Sequence, residues 1–87
     1  MKVNEKVNDA FDVALGKVMR SHRKACRLTM EQITKNVGLT KQMISLYELG
    51  KASITVMTLK HICEYLDITY TDAIREAVSL METPDEV

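Results

Sequence analysis

The stretch LTMEQITKNVGLTKQMISLYELG, residues 28–50, reads as two short helices hinged at a glycine, and the fold follows from that reading. Thr29 followed three residues later by Gln32 is a capping box: the hydroxyl accepts from the Gln32 amide and the Gln32 side chain returns to the Thr29 amide, so a helix begins near Met30. Its apolar positions Met30, Ile33 and Val37 recur at helical spacing and commit one stripe to a core. Gly38 ends the helix, because only glycine takes the left-handed turn conformation without steric cost, and the chain then reverses within about three residues. Thr40 caps a second helix whose inward residues are Ile44 and Tyr47, which leaves Lys41, Gln42, Ser45, Leu46 and Leu49 on other faces.

Helical periodicity continues on both sides. A long helix is expected from about Asn8 to Ala25, with Phe11, Leu15, Val18, Met19 and Cys26 along one face. After Gly50 the segment KASI is a loop, and Thr55 caps a helix whose stripe is Leu59, Ile62, Cys63 and Leu66. Asp67 begins a short break. Thr69 with Asp72 repeats the capping arrangement, and Tyr70, Ile74, Ala77 or Val78, and Met81 form a last apolar stripe. The expectation is an all-α fold of five helices in one domain over residues 1–87, with residues 1–7 and 83–87 frayed.

Eighty-seven residues bury a modest fraction of their surface, so self-association can add stability. Apolar residues make up 46% of the chain, and three glycines and one proline leave little material for tight hairpins. No run approaches the roughly 20 apolar residues that span a bilayer, and MKVNEKVND lacks the apolar centre of a signal peptide; a cytoplasmic location without a membrane partner is expected. Cys26 and Cys63 form no C-x-x-C and read as packed thiols rather than a disulfide. With His22 and His61 they make four metal-capable residues, but His61 and Cys63 lie about 200 degrees apart around a helix and no zinc-finger spacing is present, so neither metal nor cofactor is expected. Nor is enzymatic activity, since the chain holds no glycine-rich phosphate loop, paired-carboxylate cleft or nucleophile elbow.

Net charge is zero, but unevenly laid out. Residues 17–51 carry eight basic groups against Glu31 and Glu48, a balance of +6; residues 52–87 carry two basic groups against seven acidic ones, a balance of −5; the first sixteen residues contribute −1. A basic face for phosphates and an acidic one turned away, or toward a protein partner, fits this polarity, and so does a plain solvated charge run.

Over about residues 14–74 the chain resembles the lambda-repressor-like, or Xre/Cro-type, helix-turn-helix DNA-binding domains of bacteria and their phages. The resemblance is carried by LGKVMRSHR in the first helix, Leu28 and Thr29, Gly38 with Leu39 and Thr40, Ile44 and Tyr47, the Glu-x-Gly close at Glu48 and Gly50, and LKHICEYLDIT. It implies a helix-turn-helix at about residues 29–49 and a structural ion pair between Arg23 and Glu48. It also implies a recognition helix over 40–49 that turns Lys41, Gln42, Ser45 and Leu46 toward the major groove. Chemistry agrees in part: Gln42 can bond an adenine edge in two places, Lys41 can reach guanine O6/N7 or a phosphate, and Leu46 can meet a thymine methyl. Thr40, Lys51 and Thr55 resemble positions that grip phosphate, while Lys17 and Arg20 offer the same from the first helix. For Lys35 a solvated lysine is the equal reading, and Met43 reads as a gap-filler against the core.

Four positions depart from the family pattern. Met30 stands where a phosphate-anchoring glutamine is common, Thr34 where alanine is usual, Arg27 where glycine often ends the helix, and Ile54 where a loop proline is common. Two functions follow. One is a sequence-specific regulator of double-stranded DNA, a repressor binding an inverted repeat as a homodimer through residues 69–82, with Tyr70, Ile74, Val78 and Met81 as the interface. The other is an antitoxin or adaptor whose acidic C-terminal segment binds a protein partner.

Overall fold

The computed structural model describes residues 2–82, with side chains from residue 9 onward. The described residues form five helices: α1 (Lys2–Ala25), α2 (Met30–Val37), α3 (Lys41–Glu48), α4 (Val56–Cys63) and α5 (Tyr70–Glu82). Among them no helix is long and apolar enough to cross a membrane. α1 begins at Lys2 rather than near Asn8, so residues 2–7 carry helical backbone where fraying was expected; Met1 and residues 83–87 lie outside the described residues.

The first three helices each stop for a local reason. At the end of α1 the Leu28 amide donates to the Arg23 carbonyl (3.1 Å) and the Arg27 amide to that of Lys24 (3.0 Å), a Schellman closure that puts Arg27 at φ 59°. α2 opens on the capping box: Thr29 Oγ1 accepts from the Gln32 amide at 3.2 Å, and Gln32 Oε1 accepts from the Thr29 amide at 2.8 Å. Gly38, at φ 72°, ends it and donates to the Thr34 carbonyl. Thr40 caps α3 by accepting from the Met43 amide (3.1 Å), and a second Schellman closure ends that helix, Gly50 at φ 73° donating to Tyr47 and Lys51 to Leu46. Thr55 caps α4 in the same manner.

The core is one cluster. α1 supplies Ala14, Leu15, Val18 and Met19; α2 supplies Ile33, and α3 Ile44 and Tyr47; Leu59, Ile62, Cys63 and Leu66 come from α4 and its exit, and Ala73 and Ala77 from α5. α1 lies between α3 and α5, while α2 packs on α3 and α4. The buried stripes of α3 and α4 are those expected from spacing, and on α2 Ile33 is buried with Met30 and Val37 half-buried beside it.

α5 differs. Its fully buried positions are Ala73 and Ala77, so of the two alternatives Ala77 and Val78 the core takes Ala77; Tyr70 and Ile74 are half-buried against the same core and Val78 and Met81 are exposed, so the helix is rotated toward Ala73 from the phase the larger apolar residues predict. Small side chains let α5 come close to α1, and that close approach outweighs the burial of bigger residues. The Thr69–Asp72 cap is realised from one side: Thr69 Oγ1 accepts from the Asp72 amide (3.1 Å), but the Asp72 carboxylate accepts from Arg75 at 2.7 Å. Cys26, placed on the α1 stripe by spacing, lies just beyond the helix end and is only half-buried.

Candidate nucleic-acid interface

α3 is held from behind. Ile44 and Tyr47 sink into the core, and the Arg23 guanidinium on α1 grips Glu48 through two donors, Nε to Oε2 at 2.6 Å and Nη2 to Oε1 at 3.1 Å, while Nη1 donates to the Leu28 carbonyl at 2.8 Å. The two side chains are only 10% and 5% exposed, so the pair sits inside the domain and ties the first helix to the end of the third.

The backbones meet just as closely. A Cβ on Gly16 would lie 2.5 Å from the carbonyl oxygens of both Tyr47 and Glu48, and one on Gly50 would lie 2.6 Å from the Val13 Cα. Gly16 thus lets α1 rest directly on the last turn of α3. One further contact sets the loop after α3, where the Ser53 hydroxyl donates to the Asp12 carboxylate at 2.6 Å.

With its rear fixed, α3 presents its first turn outward. Lys41 and Gln42 are exposed, Ser45 and Leu46 are half-buried, and Met43 leans on the core. Thr40, Lys51 and Thr55 are exposed around the two ends of α3 and the start of α4. The structure separates the two candidate phosphate contacts of α1, Lys17 and Arg20. At about 100° per residue Arg20 shares the face of Gly16 and Arg23 that meets α3, whereas Lys17 lines the groove between α1 and α5 together with Val18, Ser21 and Leu80.

Lys41 is not a free cation. Its Nζ lies 3.0 Å from the carboxylate of Glu31 in the first turn of α2, with both side chains more than half exposed. The hydrogen bond from Lys41 holds the Glu31 carboxyl below the ordinary carboxylate range, helped by a backbone hydrogen bond at Glu31 and by the Lys41 charge. Sequence reasoning missed Glu31, Gly16, Asp12 and Ser53. An acid in the first turn of a helix is explained by the helix dipole alone, and a helical glycine carries no sign of what lies across from it.

The four residues proposed for self-association divide into two pairs. Tyr70 and Ile74 are shared with the chain's own core, while Val78 and Met81 lie in the open with Leu80, which is 50% exposed. His22, a candidate ligand by composition, lies 3.1 Å from Glu76 of α5.

The five-helix fold recurs in other proteins. The clp gene regulator ClgR of Corynebacterium glutamicum superposes with a TM-score of 0.77 at 24% identity, over 82% of this chain and 76% of that one. A transcriptional regulator of the HTH_3 family from Vibrio cholerae does so with a TM-score of 0.72 at 22% identity, over 84% of this chain and 41% of the other. At these identities the likeness is one of fold. Antitoxin PezA of Streptococcus pneumoniae serotype 4 is 30% identical over 71 residues, which make up 82% of this chain and 45% of the relative, so the chain spans less than half that protein's length. The sequence pattern of the helix-turn-helix family matches residues 19–72, from the last third of α1 into the first turn of α5, and the chain belongs to that family, the DNA-binding transcription regulators of the Xre, lambda-repressor-like type.

Proposed function

We propose that the chain is a sequence-specific, non-enzymatic regulator of double-stranded DNA that acts as a repressor, binding an inverted repeat as a homodimer with α3 in the major groove. The observation that carries this reading is the pairing of opposites on α3: an exposed first turn bearing Lys41 and Gln42, on a helix whose last turn is anchored by a buried ion pair. Gln42 reads an adenine edge, Lys41 guanine O6/N7, and Ser45 and Leu46 a neighbouring base and a thymine methyl. Thr40, Lys51, Thr55 and Arg20 hold phosphates; Lys17, turned toward α5, contributes less. One eight-residue helix makes few contacts, and the exposed Val78, Leu80 and Met81 of α5 offer a second copy an apolar surface, with Tyr70 and Ile74 at its edge.

Selection from random duplexes tests the proposal. A consensus made of two symmetric half-sites about one helical turn apart is expected, with affinity falling steeply as salt rises. Lys41→Ala or Gln42→Ala is expected to erase the preference at one base position, about 1–3 kcal/mol, in a protein that stays folded. A flat salt response, or a preference unchanged by both substitutions, overturns the reading. The likeness to an antitoxin favours a second one, in which the acidic C-terminal segment binds a basic protein partner. Under it a partner, not duplex DNA, protects α5 from proteolysis.

A further inference from the structure

The ion pair between Glu31 and Lys41 joins the first turns of the two helices that form the helix-turn-helix. Its placement is unusual for its chemistry. Lys41 is the first residue of α3, where the positive end of the helix dipole disfavours a cation, and the first turn of α3 holds no acidic residue of its own to compensate. Glu31 supplies that charge from across the turn. An ammonium has three donors, so at 3.0 Å from one carboxylate oxygen Lys41 keeps the others for a second acceptor. A neutral base edge can join Glu31 around the ammonium. A phosphate cannot do so without bringing two anions together.

We propose that Glu31 is the residue that reserves Lys41 for base reading, by excluding phosphate from its ammonium and so keeping the recognition helix from gripping duplex of any sequence. Glu31 touches no base in this scheme; it is a positioning residue, and the inference rests on the DNA-binding reading above. A glutamate is already ionised at neutral pH, so the pair stands there with both charges present. Met30 adds to the effect, since an apolar residue beside Glu31 offers phosphate no replacement contact.

The test compares binding of a selected site and of random duplex by the wild type, Glu31→Gln, Lys41→Ala and the double variant, between 50 and 200 mM salt. Glu64→Gln, which opens another exposed lysine pair, with Lys60 on α4, serves as the equal-charge control. Freed from Glu31, Lys41 takes a phosphate, so the log–log salt slope of Glu31→Gln for random duplex steepens by about 0.9, and the fourfold dilution of salt strengthens that binding about three- to fourfold more than in the wild type. The ratio of site to random affinity falls accordingly. In the Lys41→Ala background Glu31→Gln changes neither quantity, because the effect runs through that ammonium. An unchanged slope in Glu31→Gln, an equal change with Lys41 absent, or an equal change in Glu64→Gln overturns the inference while DNA binding stands. A wild type that binds no duplex at any salt removes the parent reading and this one with it.

Discussion

Replacing Glu48 by glutamine keeps the shape of the side chain and removes its charge, which isolates what the buried pair contributes. Arg23 presents Nε and Nη2 to two carboxylate oxygens at 2.6 and 3.1 Å; an amide presents one oxygen and one NH2, so one of those donors would face another donor. The guanidinium, 10% exposed, is then left with a single good partner beside the Leu28 carbonyl. Stranding one member of a buried pair costs about 3–5 kcal/mol, against about 0–1 for a pair at the surface. An 87-residue domain at about 0.05–0.15 kcal/mol per residue has about 4–13 kcal/mol in all, so the variant loses about a fifth of its stability or more. Urea unfolding followed by circular dichroism measures it, with the m-value checked for constancy. Arg23→Met combined with Glu48→Leu should recover most of the loss, because no charge is then buried alone. A loss below about 1 kcal/mol for Glu48→Gln would show that water reaches the pair and that α3 is anchored by packing alone.

Three further perturbations follow from the same geometry. Gly16→Ala gains about 1 kcal/mol of helix propensity, yet its Cβ would meet two carbonyl oxygens at 2.5 Å, so a net loss of about 1–3 kcal/mol is expected in thermal melts, opposite in sign to the change at an open helical site. Arg27→Gly relieves a left-handed conformation that costs about 1–2 kcal/mol, partly offset by about 0.5–1 of added chain entropy, and the urea midpoint should rise. Burial pushes the Cys63 thiol up to about 11, so the fold favours its protonated form; the stability this supplies is complete below the ordinary thiol range near 9.0 and is lost as pH rises toward 11. Thiol titration at pH 8 should label Cys26 and spare Cys63 until denaturant is added, and Cys63→Ala should flatten the alkaline fall in the unfolding midpoint.

What could be read from residues alone was whatever is decided within a few neighbours. The capping box of Thr29 and Gln32, the glycine turn at Gly38 and the caps at Thr40 and Thr55 each need only three or four positions in register, and all are present at hydrogen-bonding distance. Stripes such as Leu59, Ile62, Cys63 and Leu66 were legible because one side of a helix faces a single core. The phase of α5 was not. Spacing favours Tyr70, Ile74, Ala77 or Val78, and Met81, and leaves out Ala73; the choice of Ala77 and Ala73 is made by how closely two helices can approach, a tertiary quantity that alanine satisfies and that no local pattern announces. The start of α1 was missed because MKVNEKVND contains no strong cap signal. At the candidate interface the outward face of α3 was legible, while Asp12 with Ser53 and Glu31 with Lys41 join elements that only the finished fold makes neighbours.

α3 is seated by Ile44 and Tyr47 and braced at its last turn, where α1 rests on the carbonyls of Tyr47 and Glu48, so a shift of that brace tilts the helix as a unit and carries Lys41 at its far end. Eight residues give an arm of about 12 Å, so a pivot of about 5° at the fixed end sweeps the tip through about 1 Å, enough to break a hydrogen bond to a base edge. Changes around Gly16, Val13 or Arg23, none of which need touch a nucleotide, are therefore expected to retune which bases are preferred before they unfold the protein.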